Sequence, residues 1–205
     1  DYYEEKNDST NYKWFSTAIG ESGISSIDFN EWFKQQKNTS NIVLYPKTGI
    51  HWSDYGAILA IDSINKFIAK ERNLNPVEMY WTEFSQNRDS VSNIDSDIEN
   101  GMNLLFEIKK PKMKYPKLKF NNEGKSKPKV LNVGDSFYRN IYVNGISHEL
   151  FTDAGFAYYL HEIHSPILDG VKDISQIDLK DFINHYDVVM LMCTEATIFN
   201  FPFEF

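Results

Sequence analysis

A chain of 205 residues, 41% apolar and 15% aromatic, is long enough to bury one substantial core and short for two. Its formal charge of −8 argues against nucleic acid as a partner, because neutralising phosphates takes an excess of Lys and Arg. No stretch reaches the roughly 18 uninterrupted apolar residues of a membrane span, the N-terminus lacks the pattern of a signal peptide, and a single cysteine, Cys193, leaves no disulfide framework and no cysteine metal site.

Both ends read as cut. The first dozen residues are polar with no start signal, and the closing Phe199-Asn200-Phe201-Pro202-Phe203-Glu204-Phe205 is aromatic enough to expect burial by something beyond it. The expectation is a single domain over 1–205 that belongs to a longer chain.

Along the chain, helical periodicity is clearest after Trp52. Ser53 is placed to cap, and Ile58, Ile61, Ile64 and Ile68 follow on one face as far as about Arg72. The region 77–128 is organised differently. Strand-like runs at 77–85 and 102–110 flank a polar loop, and nine lysines crowd between Lys109 and Lys129, leaving 21 − 9 = 12 basic residues elsewhere. The expectation is an insertion or meander beside the main sheet, with 111–128 a mobile lysine-rich arm that is either a solvated face or a steering surface for an acidic ligand.

Beyond it, strands are expected at 129–134, 155–164 and 187–193, and helices at 137–150 and 178–186. The first and third strands are nearly continuous apolar runs, as suits strands covered on both faces. These spacings predict an α/β fold: a three-layer sandwich around a mainly parallel sheet.

In such a sheet, ligands collect beyond the carboxyl ends of the strands. Ser136, in "VLNVGDSFYRNI" (130–141), stands at one of these ends, where Gly134 lets the chain turn sharply. The helix starting there offers unpaired N–H groups, that of Ser136 foremost, for an oxyanion. Asp135 or Ser136 is equally suited to be a plain cap. Among the five histidines, His51 is the candidate base, because His51-Trp52 lies at a second loop-to-helix mouth.

"GIHWSDYGA" (49–57), followed by "VLNVGDSF" and then "YDVVMLMCTEATI" (186–198), resembles the SGNH-hydrolase-like domain of the alginate O-acetyltransferase group, the AlgX and AlgJ type. The likeness spans roughly 24–198 and implies acyl chemistry, usually acetyl transfer or removal, on hydroxyls of exported polysaccharides. It implies Ser136 as nucleophile and His51 as general base, and the intact protein would work outside the cytoplasm, in the periplasm or cell envelope. Its expected partners are a polysaccharide, an acyl donor and other polysaccharide-export proteins; no metal or organic cofactor is implied.

Two departures stand out. Where the family has Asp two residues before the histidine, this chain has Gly49, so another carboxylate substitutes, a backbone carbonyl holds the ring, or catalysis is impaired. Asp54 is the nearest carboxylate. After the third strand, Cys193-Thr194-Glu195 stands where GDSL-type enzymes place Gly and Asn donors; Thr194 can donate, and ionised Glu195 cannot. Tyr138 and Arg139 are candidates to bind sugar, and Trp52 and Tyr55 to stack on it, with helix and core packing as the competing roles. The rival to catalysis is a glycan-binding or scaffolding domain. An ordinary GDSL arrangement through Asp181 and His185, and a metal site at His161-Glu162-Ile163-His164, have weaker support from spacing.

Overall fold

The computed structural model describes residues 10–86, 94–106, 108–109 and 111–200. Two helices, α1 (Asn11–Ser22) and α2 (Phe29–Lys37), lead the chain, each with a side-chain N-cap, from Thr10 and Asp28. The long helix α3 (Asp54–Arg72) begins where the Ser53 hydroxyl accepts from the Gly56 N–H. Ile58, Ile61, Ile64 and Ile68 are all buried, each worth roughly 1.5–3 kcal/mol relative to exposure. The helix stops at Asn73, which takes the left-handed conformation at φ 52°.

Strands β1 (Glu78–Ser85) and β2 (Tyr115–Asn121) pair antiparallel as a separate two-stranded sheet, with the short helix α4 (Asp97–Met102) between them in the chain. This sheet packs on α3 through Trp81, Leu118 and Phe120. Residues 102–110 read as strand-like in the sequence, but Met102 ends α4 and none of the described residues from 103 to 109 is in a strand. The partner of β1 lies instead inside the supposed lysine arm. There Lys117 and Lys119 point outward while Leu118 and Phe120 are half-buried, the period-2 alternation of a strand with one covered face.

The main sheet has five strands in the order β6 (Lys172–Asp173), β5 (Glu162–His164), β4 (Thr152–Tyr158), β3 (Lys129–Gly134), β7 (Val188–Met192). Only β4–β3 and β3–β7 are parallel; β4–β5 and β5–β6 are antiparallel. The sheet is therefore mixed rather than mainly parallel. The reason is local: the stretch expected as one strand over 155–164 reverses at Tyr159 and Leu160, both at positive φ, and forms a hairpin. The helix expected over 137–150 is likewise two, α5 (Ser136–Val143) and α6 (Ile146–Leu150), parted by Gly145 at φ 76°. Helix α7 (Leu179–Asn184), capped by Asp178, precedes β7.

Alternate residues of β3 enter two separate cores. Val130 packs with α3, α5, α6 and Phe156, whereas Leu131 and Val133 pack with Ala157, Ile163, Phe182 and Tyr186. Register aligns Gly134 with Tyr158 and with Met192, so the carboxyl ends of the three parallel strands share one edge. Ser136 follows directly on that edge.

Candidate active site

At the start of α5 the cap is Asp135, not Ser136. Its Oδ1 accepts from the Phe137 N–H at 3.0 Å, which leaves the Ser136 hydroxyl available. That hydroxyl lies 2.9 Å from His51 Nε2, across 85 residues of sequence. His51 Nδ1 lies 2.9 Å from Asp97 Oδ2. A carboxylate can only accept, so Nδ1 carries the ring proton and Nε2 of the neutral imidazole is left to accept from the Ser136 hydroxyl. Ser136, His51 and Asp97 thus form a continuous hydrogen-bonded line, with side chains of His51 and Asp97 only 15% and 28% exposed.

Asp97 was not singled out from the sequence, and Asp54 was. The carboxylate at Nδ1 is Asp97, the first residue of α4; Asp54 instead opens α3. Gly49 explains how Asp97 gets there. A Cβ at Gly49 would stand 2.1 Å from the Ile94 carbonyl oxygen and 2.7 Å from Pro46 Cγ. The bare α-carbon lets segment 94–99 lie directly on the histidine loop, where a series of bonds holds it. The Thr48 hydroxyl donates to the Asp95 carbonyl at 2.9 Å, the Ile98 amide donates to the Thr48 carbonyl at 3.1 Å, and the Ile50 amide donates to Asp97 Oδ1 at 2.9 Å. Tyr115 on β2 adds a hydroxyl bond to Asp95 Oδ2 at 2.6 Å. The position that lacks the expected aspartate is the one that admits a replacement from elsewhere in the chain.

Aromatic packing fixes the rings. Phe137 sits 5.0 Å from the His51 ring and 5.3 Å, edge-on, from that of Trp52. Trp52 also meets Phe29 and Phe33 and is buried, so it is a core residue that steadies the histidine and not a sugar platform. Tyr138 is corrected in the same way: it is 1% exposed, against Phe156, and burial pushes its hydroxyl pKa up. Its side chain faces the core because α5 buries that stripe. Tyr55 packs on Trp81 and Phe84.

Asp135, 1% exposed, ties the nucleophile turn to the end of β7. Its Oδ2 accepts from the Thr194 amide at 2.8 Å and the Thr197 hydroxyl at 2.9 Å. The Thr194 amide is therefore engaged as a strut and not turned to an oxyanion. The donor best placed for that task is the amide of Ser136, which as the first residue of a helix has no intrahelical acceptor. Gly134 leaves room beside β7: a Cβ there would come within 2.6 Å of Asn132 Oδ1 and 3.1 Å of the Met192 carbonyl, so the buried Asn132 side chain would have to move. Arg139 and Glu195 are exposed, beside the nucleophile in the chain and at the end of β7 respectively. Cys193, half-buried and near Asp135, has its thiol pushed up to about 12, chiefly by burial.

The other histidines stand apart. His185 pairs with Asp153 at 2.9 Å, and Asp153 lies at the amino end of β4, the opposite edge of the sheet from Ser136. His161 and His148 are exposed, and His164 stacks on Phe156. Among the described residues no group of three His, Cys, Asp or Glu is placed to hold a metal ion.

No protein-family model and no curated protein matches this chain. Among solved structures it is similar to the O-acetyltransferase domain of Pseudomonas putida AlgJ, with a TM-score of 0.45 and 12% identity, covering 75% of this chain and 54% of that one. The chain thus spans about half the length of that structure, and at this distance the likeness assigns no residue a role.

Proposed function

We propose that this chain carries out acyl-ester chemistry on carbohydrate hydroxyls, as an SGNH-type O-acetyltransferase or esterase. The observation that supports it is the hydrogen-bonded line Ser136–His51–Asp97 at the carboxyl edge of a sheet. Ser136 Oγ attacks the carbonyl carbon of an acyl donor while His51 Nε2 takes its proton, and Asp97 stabilises the imidazolium that results. The oxyanion is met by the Ser136 amide at the positive end of α5. Collapse returns the proton from His51 to the leaving oxygen and leaves an acyl-serine. An acceptor hydroxyl then loses its proton to His51, attacks the acyl carbon and releases Ser136 protonated.

Water and sugar are alternative acceptors in the same last step, so transferase and esterase differ only in what reaches the acyl-serine. A glycan-binding role without catalysis drew its support from Gly49 and from the missing donors after the third strand; Asp97 beside His51 weakens the first ground, while the Thr194 amide, bonded to Asp135, leaves the second standing. By the resemblance, the protein would work outside the cytoplasm, with a polysaccharide and an acyl donor as substrates and other export proteins as partners. The test is acetyl partition: preformed acetyl-enzyme is offered cellotetraose in water, and acetylated sugar is separated from free acetate. Either product supports the reading; neither product from folded protein contradicts it.

A further inference from the structure

Between α4 and β2 the chain makes an excursion that leaves the 94–99 segment and returns to it. Glu99, buried on α4, accepts from the Ile108 amide at 2.6 Å, and the Tyr115 hydroxyl at the start of β2 bonds Asp95 at 2.6 Å. These two bonds close a loop on each side of Ile108. The first loop carries Met102, Leu104, Leu105 and Phe106, all exposed, with Leu105 at 93% and Phe106 at 85%. Ile98, also exposed, stands one turn before Met102 on α4 and continues the apolar surface toward Asp97. The second loop carries Lys109, Lys112 and Lys114, likewise exposed.

Neither the ester chemistry nor the core uses these side chains. Single exposed apolar residues are ordinary, but three in succession at the tip of a loop tied at its base mark a surface that meets something. Charge indicates what it meets. Residues 102–129 hold nine lysines against Glu107 and Glu123, a balance of 9 − 2 = +7, so the rest of the chain carries −8 − 7 = −15. A basic segment of an acidic protein is drawn to an anionic surface, while carboxylates more than a Debye length of about 8–10 Å away are screened. An anionic bilayer answers both features, since its acyl boundary receives apolar side chains and its headgroups receive ammonium groups. A soluble acidic polymer would answer the lysines and leave the apolar tip in water.

We infer that this surface docks the protein on a lipid bilayer bearing anionic headgroups, with Leu104, Leu105 and Phe106 entering the acyl boundary and Lys109, Lys112 and Lys114 meeting headgroup phosphates. Asp97 and Met102 are the two ends of α4, so the tip departs about 8 Å from the carboxylate that holds His51. Docking holds the Ser136–His51–Asp97 line close to the bilayer surface.

The experiment sediments the full chain with vesicles of equimolar phosphatidylcholine and phosphatidylglycerol, and with vesicles of phosphatidylcholine alone. Affinity for the anionic vesicles is expected to exceed that for the neutral ones at least about tenfold and to fall as salt is raised. Each lysine at an anionic surface is worth about fivefold in affinity, so Lys109→Glu, Lys112→Glu and Lys114→Glu together should weaken binding at least about a hundredfold. Leu105→Ser with Phe106→Ser should weaken it at least about tenfold. All five positions are exposed, so neither multiple variant should lower the thermal midpoint. Lys180→Glu, an exposed position on α7, is the control and should stay within about twofold. Anionic vesicles left unbound, bound no better than neutral ones, or bound as tightly by both multiple variants as by the parent overturn the inference. So does self-association that Leu105→Ser with Phe106→Ser abolishes while vesicles stay unbound, which would assign the tip to a second copy, or capture of polyglutamate in place of vesicles, which would assign the lysines to an acidic protein. Binding is read without chemistry, so its failure leaves the Ser136 reading standing, and a Ser136 that never acylates leaves the docking surface standing.

Discussion

Asp97→Asn isolates the contribution of the orienting carboxylate. The amide keeps an oxygen to accept from the Ile50 N–H, which now bonds Oδ1 at 2.9 Å, so the 94–99 segment stays on the histidine loop. Its nitrogen, however, can only donate to His51 Nδ1. That forces the ring proton onto Nε2 and removes the lone pair that would accept from Ser136. The charge itself also matters: an imidazolium and a carboxylate with centres about 4 Å apart attract by about 4 kcal/mol at the effective dielectric of a partly exposed site. That is roughly a thousandfold in rate, and loss of the correct tautomer extends it toward roughly ten-thousandfold. The assay is the pre-steady-state burst of p-nitrophenolate from p-nitrophenyl acetate. His185→Ala, at the opposite edge of the sheet, serves as control and should stay within about twofold, as distant sites act independently. An Asp97→Asn burst within tenfold of the parent would refute the role given to Asp97.

Gly49→Asp, which restores the residue expected there, should inactivate rather than improve the site. Its Cβ meets the Ile94 carbonyl at 2.1 Å, and overpacking against backbone costs about 1–3 kcal/mol or more; a thermal midpoint unchanged by the substitution would show that 94–97 does not pack there. Asp135→Ala strands the Phe137 and Thr194 amides and leaves the Thr197 hydroxyl only the Thr194 carbonyl and hydroxyl as partners, with an expected loss of about 3 kcal/mol by denaturant titration, and a loss under 1 kcal/mol would contradict the strut. Cys193, with its thiol pushed up to about 12, is expected to alkylate slowly: at pH 8 only about one part in ten thousand is thiolate, and the rate should climb tenfold per pH unit. Iodoacetamide reacting in native protein as fast as with a free thiol would sink that reading.

Much of the scaffold was legible because its signals are local. Ser53 and the isoleucines of α3 specify a capped helix with one buried stripe, and the apolar run from Lys129 to Gly134 ends on a glycine before the turn. Ser136 and His51 each stand at a loop-to-helix mouth, which makes them candidates, and it is the resemblance of the motifs around them that pairs them as nucleophile and base. Asp97 could not be found this way: it is 46 residues from His51, in a stretch where Asp, Asn and Ser alternate with nothing to mark one of them. The usable signal was Gly49 itself, read as a missing side chain when it marks a close backbone approach. The reversal at Tyr159-Leu160 carries no Gly, Asn or Asp to announce positive φ. In β2, the density of lysine hid the alternation of Lys117-Leu118-Lys119-Phe120 that a strand requires.

The most direct measurement is the mass of the chain and of its Ser136 peptide after exposure to p-nitrophenyl acetate. The account predicts one acetyl group, on Ser136, that is absent in Ser136→Ala and strongly reduced in His51→Ala and Asp97→Asn. Folded protein that stays unmodified, or an acetyl group on Ser136 that forms as fast without His51 and Asp97, would contradict it.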